Sequence, residues 1–236
     1  MGKFYVTTSI PYVNADPHIG FALEAIQADV LARYHRQKGE DIFFLTGADE
    51  HGVKIIRAAK AAGKTPQSFT DGVTKKFKDL KKALNLSWSD FIRTSDKKRH
   101  WPGAQKLWLN LYDAGKLYKK SYKGLYCIGH EAFITEKDLV NGQCRDHQQE
   151  PEIIEEENWF FKLSDYTKEI KARIESGELR IAPESRRNEI LSLLKEGLED
   201  ISFSRPREDL NWGIPVPNDP KHTMYVWCDA LSNYIT

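Results

Sequence analysis

The sequence predicts an α/β protein: a parallel-sheet fold of the nucleotide-binding type, interrupted by an inserted segment with a metal-knuckle element. Three observations predict it. The first forty-odd residues alternate strand, helix and strand patterns; the texture changes near Leu117; and a strand-like run, Met224-Tyr225-Val226-Trp227, returns close to the end. With 236 residues, 40% of them hydrophobic and 29% charged, the chain has the make-up of a soluble globular protein able to bury a core.

Phe4 to Thr8 reads as a buried strand ended by Ser9-Ile10-Pro11. Asp16 and Pro17 suit a helix N-cap and first position. Ile19, Leu23, Ile26, Val30 and Tyr34 follow at helical spacing, predicting the buried face, and Gly39 stops the helix. Ile42 to Thr46 is a second strand, so the unit is βαβ and its sheet parallel. Thr65-Pro66 opens a helix with Phe69, Val73, Phe77, Leu80 and Leu84 on one face, and another surrounds Trp101, Trp108 and Leu111 up to Gly115. From Leu117 to Leu163 the runs are short and β-like. Two amphipathic helices follow, near Tyr166–Ile174 and Glu184–Leu198. The expected organisation is a Rossmann-like first half at 1–116, an insertion at 117–222 with its knuckle at 127–147, and the start of the second half at 223–236.

Bulk properties exclude several classes. A formal net charge of +1 predicts no strong non-specific attraction to nucleic acid, and DNA is not an expected partner. No apolar run approaches the roughly 20 residues of a membrane helix, and no signal-peptide core is visible. Three cysteines, two of them near histidines, fit a reduced, cytoplasmic compartment better than a disulfide framework. Nothing specifies an oligomeric state. Lys116, Lys119, Lys120 and Lys123 are basic, but such runs are usually solvated faces.

Three constellations carry chemistry. Pro11-Tyr12-Val13-Asn14-Ala15-Asp16-Pro17-His18-Ile19-Gly20-Phe21 lies between the first strand and its helix. A loop at that strand end, opening into a helix N-terminus, is where such sheets bind phosphates. His18 in the first helical turn could reach a phosphate oxygen, and Gly20 leaves room for a purine; the bland alternative is an exposed histidine on a capped helix. Thr46-Gly47-Ala48-Asp49-Glu50-His51-Gly52 sets two carboxylates and a histidine at the second strand's end, either a polar site or a surface turn. Tyr225-Val226-Trp227-Cys228-Asp229-Ala230-Leu231-Ser232-Asn233-Tyr234 reads as a strand running into a helix, with aromatics that by pattern alone belong to a core. A fourth feature is the pair Cys127-Ile128-Gly129-His130 and Cys144-Arg145-Asp146-His147, a Cys-x-x-His repeated, whose four ligands suit tetrahedral Zn2+ in a structural site; the alternative is a knuckle held by turns and packing.

The first constellation resembles the signature of class I aminoacyl-tRNA synthetases, in the form typical of the methionine enzymes. The Asp-Glu-His-Gly loop, the Tyr-Val-Trp-x-Asp-Ala run, Gly197-Leu198-Glu199-Asp200 with Ser204-Arg205-Pro206, and Asn211-Trp212-Gly213-Ile214-Pro215-Val216-Pro217 resemble that family in the same order. The resemblance implies ATP, with Mg2+, held by Pro11, Asn14, His18, Gly20 and Phe21, with His18 and Gly20 at the reacting phosphates. Phe21 stands where the family usually has a second histidine, so one ATP contact is expected to be missing. It further implies L-methionine held by Asp49 at the ammonium and by Ile10, Tyr12, Trp227, Ala230, Leu231 and Tyr234 around the thioether, with Arg205 supporting Asp49. At the position of His130 the family typically has cysteine.

The implied activity is that of a methionine–tRNA ligase: ATP-dependent formation of methionyl-adenylate, then transfer to tRNA(Met). Family members continue into a Lys-Met-Ser-Lys-Ser loop and an anticodon-binding domain that these residues do not include. The expectation is therefore an N-terminal catalytic fragment that binds methionine and forms adenylate very slowly or not at all. The rival readings are a non-catalytic methionine- or tRNA-binding paralogue and a class I synthetase for another apolar amino acid.

Overall fold

The computed structural model describes residues 2–130 and 132–236; the side chains of Tyr122, Ala132, Phe133, Ile154 and Glu155 also lie outside the described set. The order of strands and helices is β1 Lys3–Thr7, α1 Ile19–Gln37, β2 Asp41–Ala48, α2 Val53–Ala61, α3 Pro66–Ala83, β3 Asp90–Arg93 and α4 His100–Asp113. There follow β4 Leu117–Cys127, β5 Ala132–Ile134, β6 Leu139–Val140, β7 Gln143–Cys144, β8 Glu152–Phe161, α5 Thr167–Glu175 and α6 Glu184–Glu196. The chain ends with β9 Ile201–Ser202, β10 Ser204–Pro206, β11 Pro215–Val216, β12 Asp219–Met224 and α7 Val226–Ser232. Among the described residues, no helix is long and apolar enough to cross a membrane.

Two compact units result: Met1–Leu109 with Pro206–Thr236, and Asn110–Arg205. The expected insertion, 117–222, begins and ends later in the chain than the second unit. In the first unit β1, β2 and β3 form a parallel sheet in that order, with Lys3 opposite Asp41 and Leu45 opposite Asp90. The βαβ expectation holds. β3 and α2 are additions to the sequence reading; Asp90–Arg93, with only Phe91 and Ile92 apolar, is too short to announce a strand.

The sheet's helical cover departs from the expected pattern. The α1 row read as its buried face is exposed: Ile19 by 87%, Val30 by 59%, Leu23 by 58%, Tyr34 by 56% and Ile26 by 41%. The buried face is instead Phe21, Ala25, Ala28 and Ala32, packed with Val13, Phe44, Ala48, Ile55, Val73 and Phe77. Small side chains let the helix backbone approach the sheet closely, and periodicity alone does not choose between two apolar stripes. Tyr5 on β1 and Phe43 on β2 are also exposed, and their rings lie 6.0 Å apart. The start of α3 follows the sequence reading: Thr65 caps Ser68 N at 3.2 Å and Pro66 takes the first helical position.

The second unit is an antiparallel sheet, β5-β4-β8-β9, with α5 and α6. Phe161 stacks on Phe203 at 4.8 Å. Asp200, from the Gly-Leu-x-Asp segment, accepts hydrogen bonds from Tyr118 Oη at 2.8 Å and Ser164 Oγ at 2.6 Å. Those bonds outweigh its burial and hold its carboxyl below the usual range. Its role is architectural.

Candidate functional site

Parallel strands deliver their carboxyl ends to one side of the sheet, and there the first two constellations meet. Asp49 N donates to Pro11 O at 2.9 Å, Val13 N donates to Asp49 O at 3.1 Å, and Tyr12 and Asp49 form a parallel bridge. The Tyr12 hydroxyl lies against Gly52, whose φ of 117° and lack of a Cβ admit it. Ile10 is as close to Gly47: a Cβ there would meet Ile10 Cγ2 at 2.9 Å. Ile10, Tyr12 and Asp49 therefore share one corner of the sheet.

Beside them is a cleft of about 400 Å³, lined by all five residues the motif assigns to nucleotide: Pro11, Asn14, His18, Gly20 and Phe21. Ser9, Tyr12, Ala15, Asp16, Glu24 and Phe77 complete its walls, with Ser9 Oγ donating to Glu24 at 2.7 Å. The helix start differs from expectation. Asp16 is not the N-cap; His18 is, with extended φ −121° and ψ 171°, its Nδ1 accepting from Gly20 N at 3.0 Å. That bond commits Nδ1 as an acceptor, so a neutral His18 ring carries its proton on Nε2, a donor for an anion in the cleft. It also accounts for Gly20: a Cβ there would fall 2.8 Å from His18 Cε1 and 3.0 Å from Nδ1. The glycine makes room for its own cap.

Phe21 is 5% exposed and meets Phe77 edge-on at 5.2 Å. An aromatic residue here is core beneath and cleft wall above.

The Asp-Glu-His loop divides its labour in a way the motif did not reveal. Glu50 is fully buried; it accepts from Thr74 Oγ1, Ser95 Oγ and Arg93 Nε, the last at 2.7 Å. Its own N–H donates to Thr94 Oγ1 at 2.9 Å, and its carbonyl accepts from Trp212 Nε1 at 2.5 Å. Glu50 is thus an internal anchor tying β2 to α3 and β3. Strand alternation was the available signal: neighbours along an extended chain face opposite ways.

His51, 4% exposed, donates through Nδ1 to Asp229 Oδ2 at 2.6 Å, and His100 Nε2 donates to Asp229 Oδ1 at 2.8 Å. This links the second constellation to the third. Asp229 lies on α7, which also carries Trp227 and Leu231, 46% and 53% exposed, and half-buried Ala230. The chain leaves a strand at Met224 and enters α7 at Val226, earlier than the strand-like run to Trp227 implied. Tyr234 is half-buried, and its carbonyl accepts from Tyr5 Oη at 2.7 Å. Burial raises the Cys228 thiol beyond the physiological range, with Asp229 adding to it, so Cys228 is an inert packing residue.

Arg205 lies in the second unit, where its Nη1 donates to Ser202 Oγ at 2.6 Å and Ser204 O at 2.9 Å, and its Nε sits 3.9 Å from Glu156 Oε2.

The Cys–His knuckle is also in the second unit. One ligand atom from each of Cys127, His130, Cys144 and His147 lies within 4.8 Å of the others. The His130 Nδ1–Cys144 Sγ separation is 3.5 Å, and His147 Nδ1 is 3.7 Å from Cys127 and 3.6 Å from Cys144. Tetrahedral Zn2+ with ordinary bond lengths needs a sulfur–nitrogen separation of about 3.6 Å. The donor set fits. His130 turns its other nitrogen to Asp146 Oδ2 at 3.0 Å, the carboxylate–histidine pairing that orients metal ligands. Burial raises the Cys144 thiol, but the His147 ring and backbone, Cys127 and the Asp146 backbone together lower it to about 7. A Cβ on Gly129 would overlap the His147 ring, so this tight turn requires glycine.

Comparison with known proteins agrees with this geometry. The family model described as "tRNA synthetases class I (M)" matches residues 4–150 and 134–236. The chain is 46% identical over 242 residues to the methionine–tRNA ligase of Streptomyces coelicolor, covering 99% of this chain and 44% of that protein. It is 44% identical to the Thermotoga maritima methionine–tRNA ligase, covering 99% and 37%. Among solved structures, Mycobacterium tuberculosis methionyl-tRNA synthetase in complex with methionyl-adenylate superposes with a TM-score of 0.92 at 41% identity, over 100% of this chain and 46% of that one. The chain spans less than half the length of these relatives.

Proposed function

This chain belongs to the class I tRNA synthetases of the methionine group, and from that membership we propose that it is the part of a methionine–tRNA ligase that binds ATP and L-methionine for adenylate formation. The observation that carries the reading is the cleft lined together by Pro11, Asn14, His18, Gly20 and Phe21, joined through the Tyr12–Asp49 bridge to the corner holding Ile10 and Asp49. ATP enters the cleft with its Mg2+. His18, fixed by its cap bond, donates from Nε2 to a phosphate oxygen as negative charge develops on the leaving pyrophosphate. Asp49 accepts the methionine ammonium through charge-assisted hydrogen bonds. Ile10, Tyr12, Trp227, Ala230, Leu231 and Tyr234 surround the thioether, which shape and sulfur–aromatic contact must recognise, because sulfur is a weak hydrogen-bond acceptor. Held at the α-phosphate, the methionine carboxylate attacks; the enzyme's contribution is position and charge stabilisation. Transfer to tRNA(Met) in the cytoplasm is the role proposed for the whole ligase.

Calorimetric titration with methionine, then with ATP, tests the reading: saturable binding of both is expected, and a chain that binds neither overturns it. Gly20→Ala should weaken ATP binding roughly tenfold and cost about 1 kcal/mol of helix capping, since the new methyl group displaces the His18 ring; unaltered ATP affinity would show that His18 does not act from its cap position.

For the knuckle we propose structural zinc on Cys127, His130, Cys144 and His147. One zinc per chain is expected by metal analysis of protein purified without chelator. Zinc affinity should weaken as pH drops below about 7, where protons begin to compete with the metal for the Cys144 thiolate. His130→Cys, which supplies a third thiolate, should tighten binding. Metal-free protein would refute the site.

A further inference from the structure

We propose that Asp229 is a positioning residue for the amino-acid pocket: clamped between His51 and His100, it holds helix α7 against the loop Asp49–Gly52. The inference rests on the methionine reading of that pocket and names what keeps its two walls in register. The walls come from opposite ends of the chain. Asp49 is at the end of β2, while Trp227, Ala230 and Leu231 are on α7, a helix of only seven residues with no side-chain cap. So short a helix has little intrinsic stability and depends on tertiary contacts for its orientation.

The clamp supplies that orientation. Asp229 is 1% exposed and both its oxygens are occupied, Oδ2 by His51 Nδ1 at 2.6 Å and Oδ1 by His100 Nε2 at 2.8 Å. Burial opposes the charge of Asp229, yet the two imidazoles hold its carboxyl below the ordinary range, so it accepts from both. An accepting carboxylate fixes the tautomers: His51 carries hydrogen on Nδ1 and His100 on Nε2. Each ring is in turn held from elsewhere. His51 meets Trp212 and Trp101 edge-on, and His100 Nδ1 lies 2.9 Å from Thr236 Oγ1. His51 stands two residues from Asp49, and Asp229 two from Trp227. A shift at the clamp is therefore felt on both sides of the thioether pocket, neither of whose proposed contact sets contains Asp229. His51 and Asp229 were quoted within their motifs, but neither motif assigned them work.

The test reads methionine and ATP binding separately. Asp229→Asn turns one oxygen into an N–H donor facing an imidazole N–H; it should weaken methionine binding at least roughly tenfold and leave ATP affinity within about twofold. Rescue distinguishes bond geometry from bulk. His51→Asn places an amide nitrogen where Nδ1 stood, and His100→Gln places one where Nε2 stood; both should retain most of the affinity that His51→Leu and His100→Leu lose. In the unsubstituted chain, nitrogen-15 NMR of the imidazoles should show His51 protonated at Nδ1 and His100 at Nε2. Folded Asp229→Asn that binds methionine as the parent does overturns the proposal, as does an NMR spectrum with the opposite tautomers. Should Asp229→Asn fail to fold, the His51 and His100 pairs decide. If the parent chain binds no methionine, the pocket reading and the positioning role fall together, and the His51 Nδ1–H resonance then tells whether the clamp survives as a purely structural contact.

Discussion

Glu50→Ala is expected to cost about 3–5 kcal/mol of stability, the usual consequence of removing one partner from a buried ion pair. Glu50 is fully buried, and its loss strands Arg93 Nε, Thr74 Oγ1 and Ser95 Oγ together. Arg93 retains a second partner, Asp71, at 2.5 Å, but that carboxylate is half exposed and compensates little. Against a total of roughly 5–15 kcal/mol for an ordinary domain, the loss is large enough to leave the variant partly unfolded. Glu50→Gln keeps the shape and one acceptor, so its cost should be smaller, about 1–3 kcal/mol. Urea unfolding curves check both: the midpoint should fall with little change in slope. An alanine variant within 1 kcal/mol of the parent would show that Glu50 is not the anchor its contacts describe.

Asp49→Ala should leave the fold in place and abolish methionine recognition. Its backbone bonds to Pro11 and Val13 do not involve the side chain and persist. The carboxylate is 6% exposed, so the ammonium it is proposed to hold would be largely out of water there, where truncating one partner of a charge pair costs about 2–5 kcal/mol. Calorimetry should therefore show methionine affinity falling on the order of 100-fold or more, with ATP affinity unchanged. Asp49→Asn, still an acceptor but uncharged, should fall in between. Undiminished binding by the alanine variant would move the ammonium site elsewhere. Adjacent residues of one motif are thus expected to fail differently, Glu50 in stability and Asp49 in binding.

That division shows how far the sequence could be read. Thr65-Pro66 announced the start of α3 because capping and a fixed φ are local properties, and β1, α1 and β2 were visible for the same reason. That one cleft gathers the five residues proposed for ATP was legible as well, since they fall within eleven consecutive positions beside one strand end. The Cys–His spacing likewise placed four donors in two short turns that the fold brings within 4.8 Å. In contrast, Asp16 is a good capping residue by composition, yet His18 caps α1, because the chain is still extended at His18 and turns helical only from Ile19. The outer row of α1 was assigned to the core although the alanine row is buried there.

What the sequence by itself determined is the succession of elements at the start of the chain, the chemistry of its motifs and the family to which it belongs. The tertiary structure alone decided which stripe of α1 meets the sheet, that Glu50 turns inward to Arg93, and that Asp229 is gripped by His51 from 178 residues away. The physical reason is range: periodicity, capping and metal spacing act within a few residues, whereas burial and buried hydrogen bonds are settled between segments whose order along the chain says nothing of their distance in space.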